Sequence, residues 1–184
     1  DPGWGVNKGD FRCCLTLPHQ KVEYKHLSRA LQWHTYGINF YSVMTSYPGG
    51  LPGGPATSAV TGTAEWIIQK LLFDVPLNGS WSVDAMYFSN TSKYSLWCSN
   101  HQNAAVTRNT MCEPLTGGGW QMTHGIGHEN FFWESAASAI SAVVLGNGVS
   151  GGTGAQSGLK DHQSGLGLQF SAEVGEAVAK ARLT

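Results

Sequence analysis

Along this chain apolar and polar positions recur in two rhythms, one of helices and one of strands. Between residues 20 and 34, Val22, Tyr24, Leu27, Ala30, Leu31 and Trp33 fall at mixed spacings of three and four, which predicts a short helix that Gly37 ends. Residues 38–47 carry Ile38, Phe40, Tyr41, Val43 and Tyr47, a β-branched and aromatic run that predicts a strand. Ala64, Ile67, Ile68, Leu71 and Leu72 mark the apolar face of a helix over 61–73, with Glu65 near its start and Lys70 near its end, as the helix dipole favours. Between 79 and 99, Trp81, Val83, Ala85 and Tyr87, then Tyr94, Leu96 and Cys98, alternate as two strands of a hairpin turning at Asn90. Trp120, Met122 and His124 predict a half-buried strand. Phe132, Ala136, Ala139, Ile140, Val143 and Val144 form a helical stripe that Gly146 or Asn147 stops, and Ala172 to Ala181 predicts a terminal helix capped by Ser171.

Two stretches break both rhythms. The prolines and glycines from Pro48 to Pro55 hold neither ladder nor helix, so 48–58 is expected as an exposed loop, and the Gly- and Ser-rich residues 146–167 as a second. Helices and strands mix without strict alternation. The fold class expected is therefore α+β, a single domain over 1–184 with an antiparallel sheet packed against two to four helices, an α/β-sandwich linked by disulfides. No run of apolar residues is long enough to span a bilayer.

Composition narrows the function. A net charge of −1 leaves no electrostatic footprint for nucleic acid, which is excluded as a partner. The charged fraction of 12% is about half the ordinary share, so the surface is wetted by Ser, Thr, Asn and Gly, a style that suits an extracellular protein. A first residue Asp1 and the acceptor triplets at Asn78 and Asn90 agree with cleavage from a precursor, secretion and glycosylation. Cys13 and Cys14 are adjacent and strained as a pair, so each is expected to reach for Cys98 or Cys112, with both pairings open. Such bridges close long loops and are worth up to ~4–5 kcal/mol each on the chain-entropy model.

Candidate chemistry is sparse. His124 and His128, four apart and followed by Glu129, are the candidate metal ligands, with His101 or His162 as a further donor, although Gly125 and Gly127 spoil a helical frame. Residues 146–151 match GxGxxG and 148–152 match GxSxG, but neither lies between the strand and helix its chemistry requires. Asp74, Asp84, Glu113, Glu129 and Glu134 are free to meet in space, and no spacing pairs them. No catalytic residue and no cofactor is assigned. Ser135, Ala136, Ala139, Ile140, Val143 and Val144 make a small-residue apolar helix suited to close packing, to self-association or to a membrane.

Tyr41-Ser42-Val43-Met44-Thr45, Thr63-Ala64-Glu65 with Ile67-Ile68, and the run from Cys112 to Trp120 resemble secreted fungal killer-toxin-like proteins. The resemblance implies an α/β-sandwich released by proteolysis that acts at the wall or membrane of a target cell, and it names no catalytic residue. The reading is a secreted, non-enzymatic, membrane-active toxin or effector. The alternatives are a self-assembling extracellular homo-oligomer joined through Trp4, Trp81, Trp97, Trp120 and Trp133, and a small secreted hydrolase or carbohydrate-binding module using His124 and His128.

Overall fold

The computed structural model describes residues 11–14, 22–73, 77–109, 115–117, 121–125, 127–149 and 164–181. Five strands alternate with five helices: β1 (Phe11–Cys14), α1 (Tyr24–Thr35), β2 (Asn39–Ser46), α2 (Pro55–Phe73), β3 (Leu77–Ser82), α3 (Lys93–Asn109), β4 (Leu115–Gly117), α4 (Glu129–Val144), β5 (Gly148–Val149) and α5 (Gly165–Lys180). The strands form one sheet in chain order, every neighbouring pair parallel. Phe11 registers with Asn39, Tyr41 with Leu77, Asn78 with Leu115 and Thr116 with Gly148.

This topology corrects the expected α+β antiparallel sandwich to α/β. Parallel neighbours need a crossover, and each crossover here is a helix. Crossovers of this kind are right-handed, and a strand order that never reverses then lays all the helices on one face of the sheet. Successive helices accordingly pack against one another, α1 on α2, α2 on α3, α3 on α4 and α4 on α5. The winding is that of consecutive units in a β/α barrel, where functional groups gather beyond the C-terminal ends of the strands.

The expected hairpin fails at a turn. After β3 the alternation runs on through Asp84, whose Oδ1 accepts from the backbone N–H of Met86 and Tyr87 and folds the chain over. Tyr94, Leu96 and Cys98 lie within α3. The inward positions of α3 are Ser95, Cys98, Gln102, Asn103 and Val106, which keep helical spacing but are largely polar, so an apolar-pattern reading misses them. Residues 121–125, expected as a strand, form part of the loop between β4 and α4, with Met122 buried.

Helix α2 exists as expected but starts earlier, at Pro55 inside the expected loop, and faces the other way. Its buried face is Ser58, Ala59, Gly62, Glu65, Trp66, Gln69 and Phe73, whereas Ile67, Ile68, Leu71 and Leu72 are exposed. Gly62 is required by contact, because a Cβ there would collide with the Gln102 amide and press on Ser46 Oγ. Gln102 in turn donates to Ser46 Oγ and to the carbonyl of Ser58, tying α3 to β2 and α2. Trp66 packs on Val106 between the same helices, and Phe73 packs with Ala30, Leu27 and Trp33 of α1.

The expected small-residue helix is α4, stopped at Gly146 with φ +80°. Its Ser135, Ser138, Ala139 and Ala142 are buried, Ser135 Oγ meets Ser171 Oγ of α5 at 2.5 Å, and Phe132 meets Phe170 edge to face at 5.0 Å. Ile140 and Val144 face outward. The small-residue face of α4 thus serves internal packing, with α5 its main helical neighbour, and among the described residues no helix is long and apolar enough to cross a membrane. Ser171 is therefore an interface residue, and Ser164 caps α5 by accepting from the N–H of Gly167. Within the expected loop 146–167, Gly148–Val149 is β5 and 150–163 lies outside the described residues.

The disulfide element of the expected fold is also corrected at Cys98, which is a free thiol on α3 at 0% exposure. Burial pushes its pKa up to about 11, against the lowering effect of hydrogen bonds with Ser82 and Ser46. Cys13 and Cys14 lie on β1 with side chains outside the described set, as does Cys112 altogether.

Candidate active site

The loops after β3 and β4 meet over the C-terminal ends of the sheet, and Asn90 joins them. Its backbone N–H donates to the carbonyl of Gln121, its Oδ1 accepts from the N–H of Gln121, and its Nδ2 donates to the carbonyl of Ser82. Asn90 is 5% exposed and fully engaged, so the structure makes the expected glycan acceptor a loop clasp. The side chain of Asn78, on β3, is outside the described set.

Above this clasp stands a histidine–carboxylate pair. Glu134, on the second turn of α4, brings Oε1 within 2.5 Å of His124 Nδ1. Its Oε2 accepts from Thr91 Oγ1 at 2.7 Å and from the N–H of Thr123 at 2.6 Å. Ser89 Oγ completes the support at 2.7 Å from Thr123 Oγ1 and 3.2 Å from Thr91 Oγ1. A carboxylate only accepts hydrogen bonds, so His124 Nδ1 carries a hydrogen, and in the neutral ring Nε2 is then the acceptor. Asn130 Nδ2, a donor, stands 3.4 Å from that Nε2, in keeping with this tautomer. His124 is 38% exposed while Glu134 is 15% exposed, so the carboxylate is sheltered and the imidazole reaches solvent.

His128 stacks on His124 with ring centroids 4.5 Å apart, and its Nδ1 accepts from the N–H of Asn130 as the cap of α4. That position explains the His spacing without a metal: one ring is a dyad member and the other a helix cap. Glu129 is exposed at the start of α4, and among the described residues no group of three His, Cys, Asp or Glu is placed to hold a metal ion. His101 lies apart, stacked on Trp97 at 3.8 Å on α3, and His162 is outside the described residues. Of the carboxylates left open by spacing, Glu134 joins the site and Asp84 organises the neighbouring turn. The sequence signal for Glu134 is its charge in a helix otherwise almost free of it beyond the first residue.

The family model described as monomethylamine methyltransferase MtmB matches residues 1–184. Among solved structures, a crystal structure of a hydroxylamine complex of MtmB superposes with a TM-score of 0.82 at 16% identity, covering 97% of this chain and 39% of that one. The Methanosarcina barkeri monomethylamine methyltransferase superposes with a TM-score of 0.78, again at 16% identity, covering 94% of this chain and 37% of the other. The chain thus spans well under half the length of the solved proteins it matches, and at that identity the superposition speaks for the fold. No curated protein matches. The family match overturns the killer-toxin resemblance, and with it the wall or membrane target, the self-assembling and carbohydrate-directed alternatives, and the expectation of a non-enzymatic protein. The short motifs behind that resemblance lie on β2, on α2 and, for the part within the described residues, on β4. This chain belongs to the monomethylamine methyltransferase MtmB family.

Proposed function

We propose that the His124–Glu134 pair binds the ammonium end of monomethylamine for methyl transfer. The reading rests on one observation: a sheltered carboxylate, held by Thr91 and Thr123, fixes a half-exposed imidazole whose Nε2 is met only by a long contact, 3.4 Å, from Asn130 Nδ2 among the described residues. Methylamine is protonated in neutral water, and transfer needs it so. The C–N bond breaks with both electrons going to nitrogen, so methylammonium releases ammonia, whereas neutral methylamine would have to expel an amide ion. The nucleophilic methyl acceptor supplies the electron pair of the new carbon bond.

A site for this donor must accept hydrogen bonds from an ammonium group without stripping its proton. Nε2 of a neutral imidazole does so, and the Glu134 charge behind the ring favours the positive ligand. The hydroxylamine of the matched complex is a small amine of the same size class as methylamine, which supports a site for small amines in this family.

The test is binding of 13C-methylamine followed by NMR line broadening. Glu134→Gln keeps the shape and removes the charge. His124→Phe removes the hydrogen bond to the charged ammonium, worth about 1.5–3 kcal/mol, so its affinity should fall roughly 10- to 100-fold, and Glu134→Gln should weaken binding in the same direction. Unchanged binding in both Glu134→Gln and His124→Phe would refute the proposal.

A further inference from the structure

A cavity opens on the same end of the sheet, between the loops that follow β2 and β3. It encloses about 360 Å³, and its walls include Pro48, Gly53, Asp84, Met86, Tyr87 and Tyr94. Both walls are pinned. The N–H of Gly49 donates to the carbonyl of Gly53 at 2.6 Å, and the N–H of Ala85 donates to the carbonyl of Pro48 at 3.0 Å, so one loop is stapled to the other. Gly49 and Gly53 have φ of +85° and +84°, which lets this wall turn tightly. A Cβ at Gly53 or Gly54 would meet nothing within 4 Å, so the space beside them is empty of protein.

The chemistry of the lining selects a charge type. Asp84 is 4% exposed, with Oδ1 accepting from the N–H of Met86 and Tyr87 and Oδ2 accepting from Ser92 Oγ. Those donors are neutral, and among the described residues no cationic side chain pairs with Asp84. An acidic side chain, hydrogen-bonded only by neutral donors among the described residues, thus stands at the wall of an otherwise largely apolar and aromatic cavity. Aromatic faces attract organic cations, whereas a strongly hydrated metal ion needs several oxygen ligands and Asp84 is the one carboxylate of this lining. Tyr94 already behaves this way, since Lys93 Nζ lies 5.9 Å from its ring centre, outside the cavity lining.

The geometry points to a binding site for a methylated ammonium cation of the choline class, formed by Asp84, Met86, Tyr87 and Tyr94 and separate from the His124–Glu134 pair. It does not depend on the methyl-transfer reading. A cation whose charge is spread over methyl groups sheds its water cheaply and presents an apolar surface to the rings, while Asp84 supplies the counter-charge.

Choline and 3,3-dimethyl-1-butanol, its uncharged carbon analogue, are the probes, titrated against the purified protein while the Met86 methyl and tyrosine ring signals are followed by NMR. Choline should bind saturably, shift those signals and outcompete the neutral analogue at least ~10-fold. Asp84→Asn preserves the acceptor for the Met86 and Tyr87 N–H groups, and it should erase most of that ratio while leaving the analogue's affinity unchanged. Tyr94→Leu should weaken choline several-fold with the circular dichroism spectrum unaltered. Equal affinity for the two probes, an Asp84→Asn variant that keeps the ratio, or shifts confined to the His124 region would overturn the site. The last result would instead speak for the methyl-transfer site, so the two readings fail separately.

Discussion

Glu65 is a costly residue in the fold, and its replacement by glutamine should stabilise the protein in a pH-dependent way. The side chain is 6% exposed on the inward face of α2, and Oε2 has no hydrogen-bond partner. Burial raises its pKa from 4.5 to about 7. The folded state therefore binds the proton more tightly than the unfolded state, so the contribution to stability is intact below pH 4.5 and is lost as pH rises through about 7. A shift of that size corresponds to roughly 3 kcal/mol at pH 8, since each pKa unit is worth about 1.36 kcal/mol. Against a typical total of about 5–15 kcal/mol the loss is substantial. Urea unfolding of both forms from pH 4.5 to pH 8.5 checks this. Glu65→Gln should move the midpoint upward by about 1 to 2 M at pH 8, for an m-value in the ordinary range, and by little at pH 4.5. Parallel midpoint curves for the two proteins across that range would count against the reasoning, because a glutamine that changes packing alone has no reason to follow pH.

Three other outcomes follow from the packing. Gly62→Ala should destabilise by about 1–3 kcal/mol in urea unfolding, and adding Gln102→Ala should recover part of that loss, because the new methyl collides with the Gln102 amide. Cys98 should resist iodoacetamide at pH 8 in the native protein and react once urea unfolds it, its thiol being both buried and raised in pKa; fast native alkylation would contradict the burial. Ser164→Ala should cost about 1 kcal/mol by removing the cap of α5, visible as a lower thermal midpoint, while Ser164→Gly should cost less.

Hydrophobic rhythm is a good guide wherever the buried face of an element is apolar. It places the spans of α1, β2 and α4 closely, and even the stop at Gly146, although the buried face of α4 mixes Ser135 and Ser138 with Ala139 and Ala142. It fails where the interior is polar. The inward stripe of α3 contains Ser95, Gln102 and Asn103, satisfied in part by Ser89 and Ser46, so its helical period carries no apolar signal. In α2 the apolar stripe reads as the core face, whereas Gly62, Glu65 and Gln69 are the positions turned inward. Parallel pairing is beyond the pattern too, because the alternation after β3 continues through a turn made by the Asp84 carboxylate.

The legibility of the active site divides along the same physical line. His124 and His128 stand out as a knot, but their spacing suggests a shared metal, and what joins them is a ring stack above a helix cap. Glu134 lies ten residues from His124, and only the folding of the loop onto the second turn of α4 brings them together. Thr91 and Thr123 come from different loops, and neither local spacing nor residue type marks them as carboxylate donors.

A string of hydrogen bonds runs from the proline–glycine loop to the imidazole: Pro48 to Ala85, Asp84 to Ser89 and Ser92, Ser89 to Thr91 and Thr123, and these to Glu134 and His124. Glycine content commonly marks a flap, yet here the loop is the fixed end of a truss. The aim of His124 is thereby tied, through one connected set of hydrogen bonds, to a segment that by composition reads as the softest in the chain.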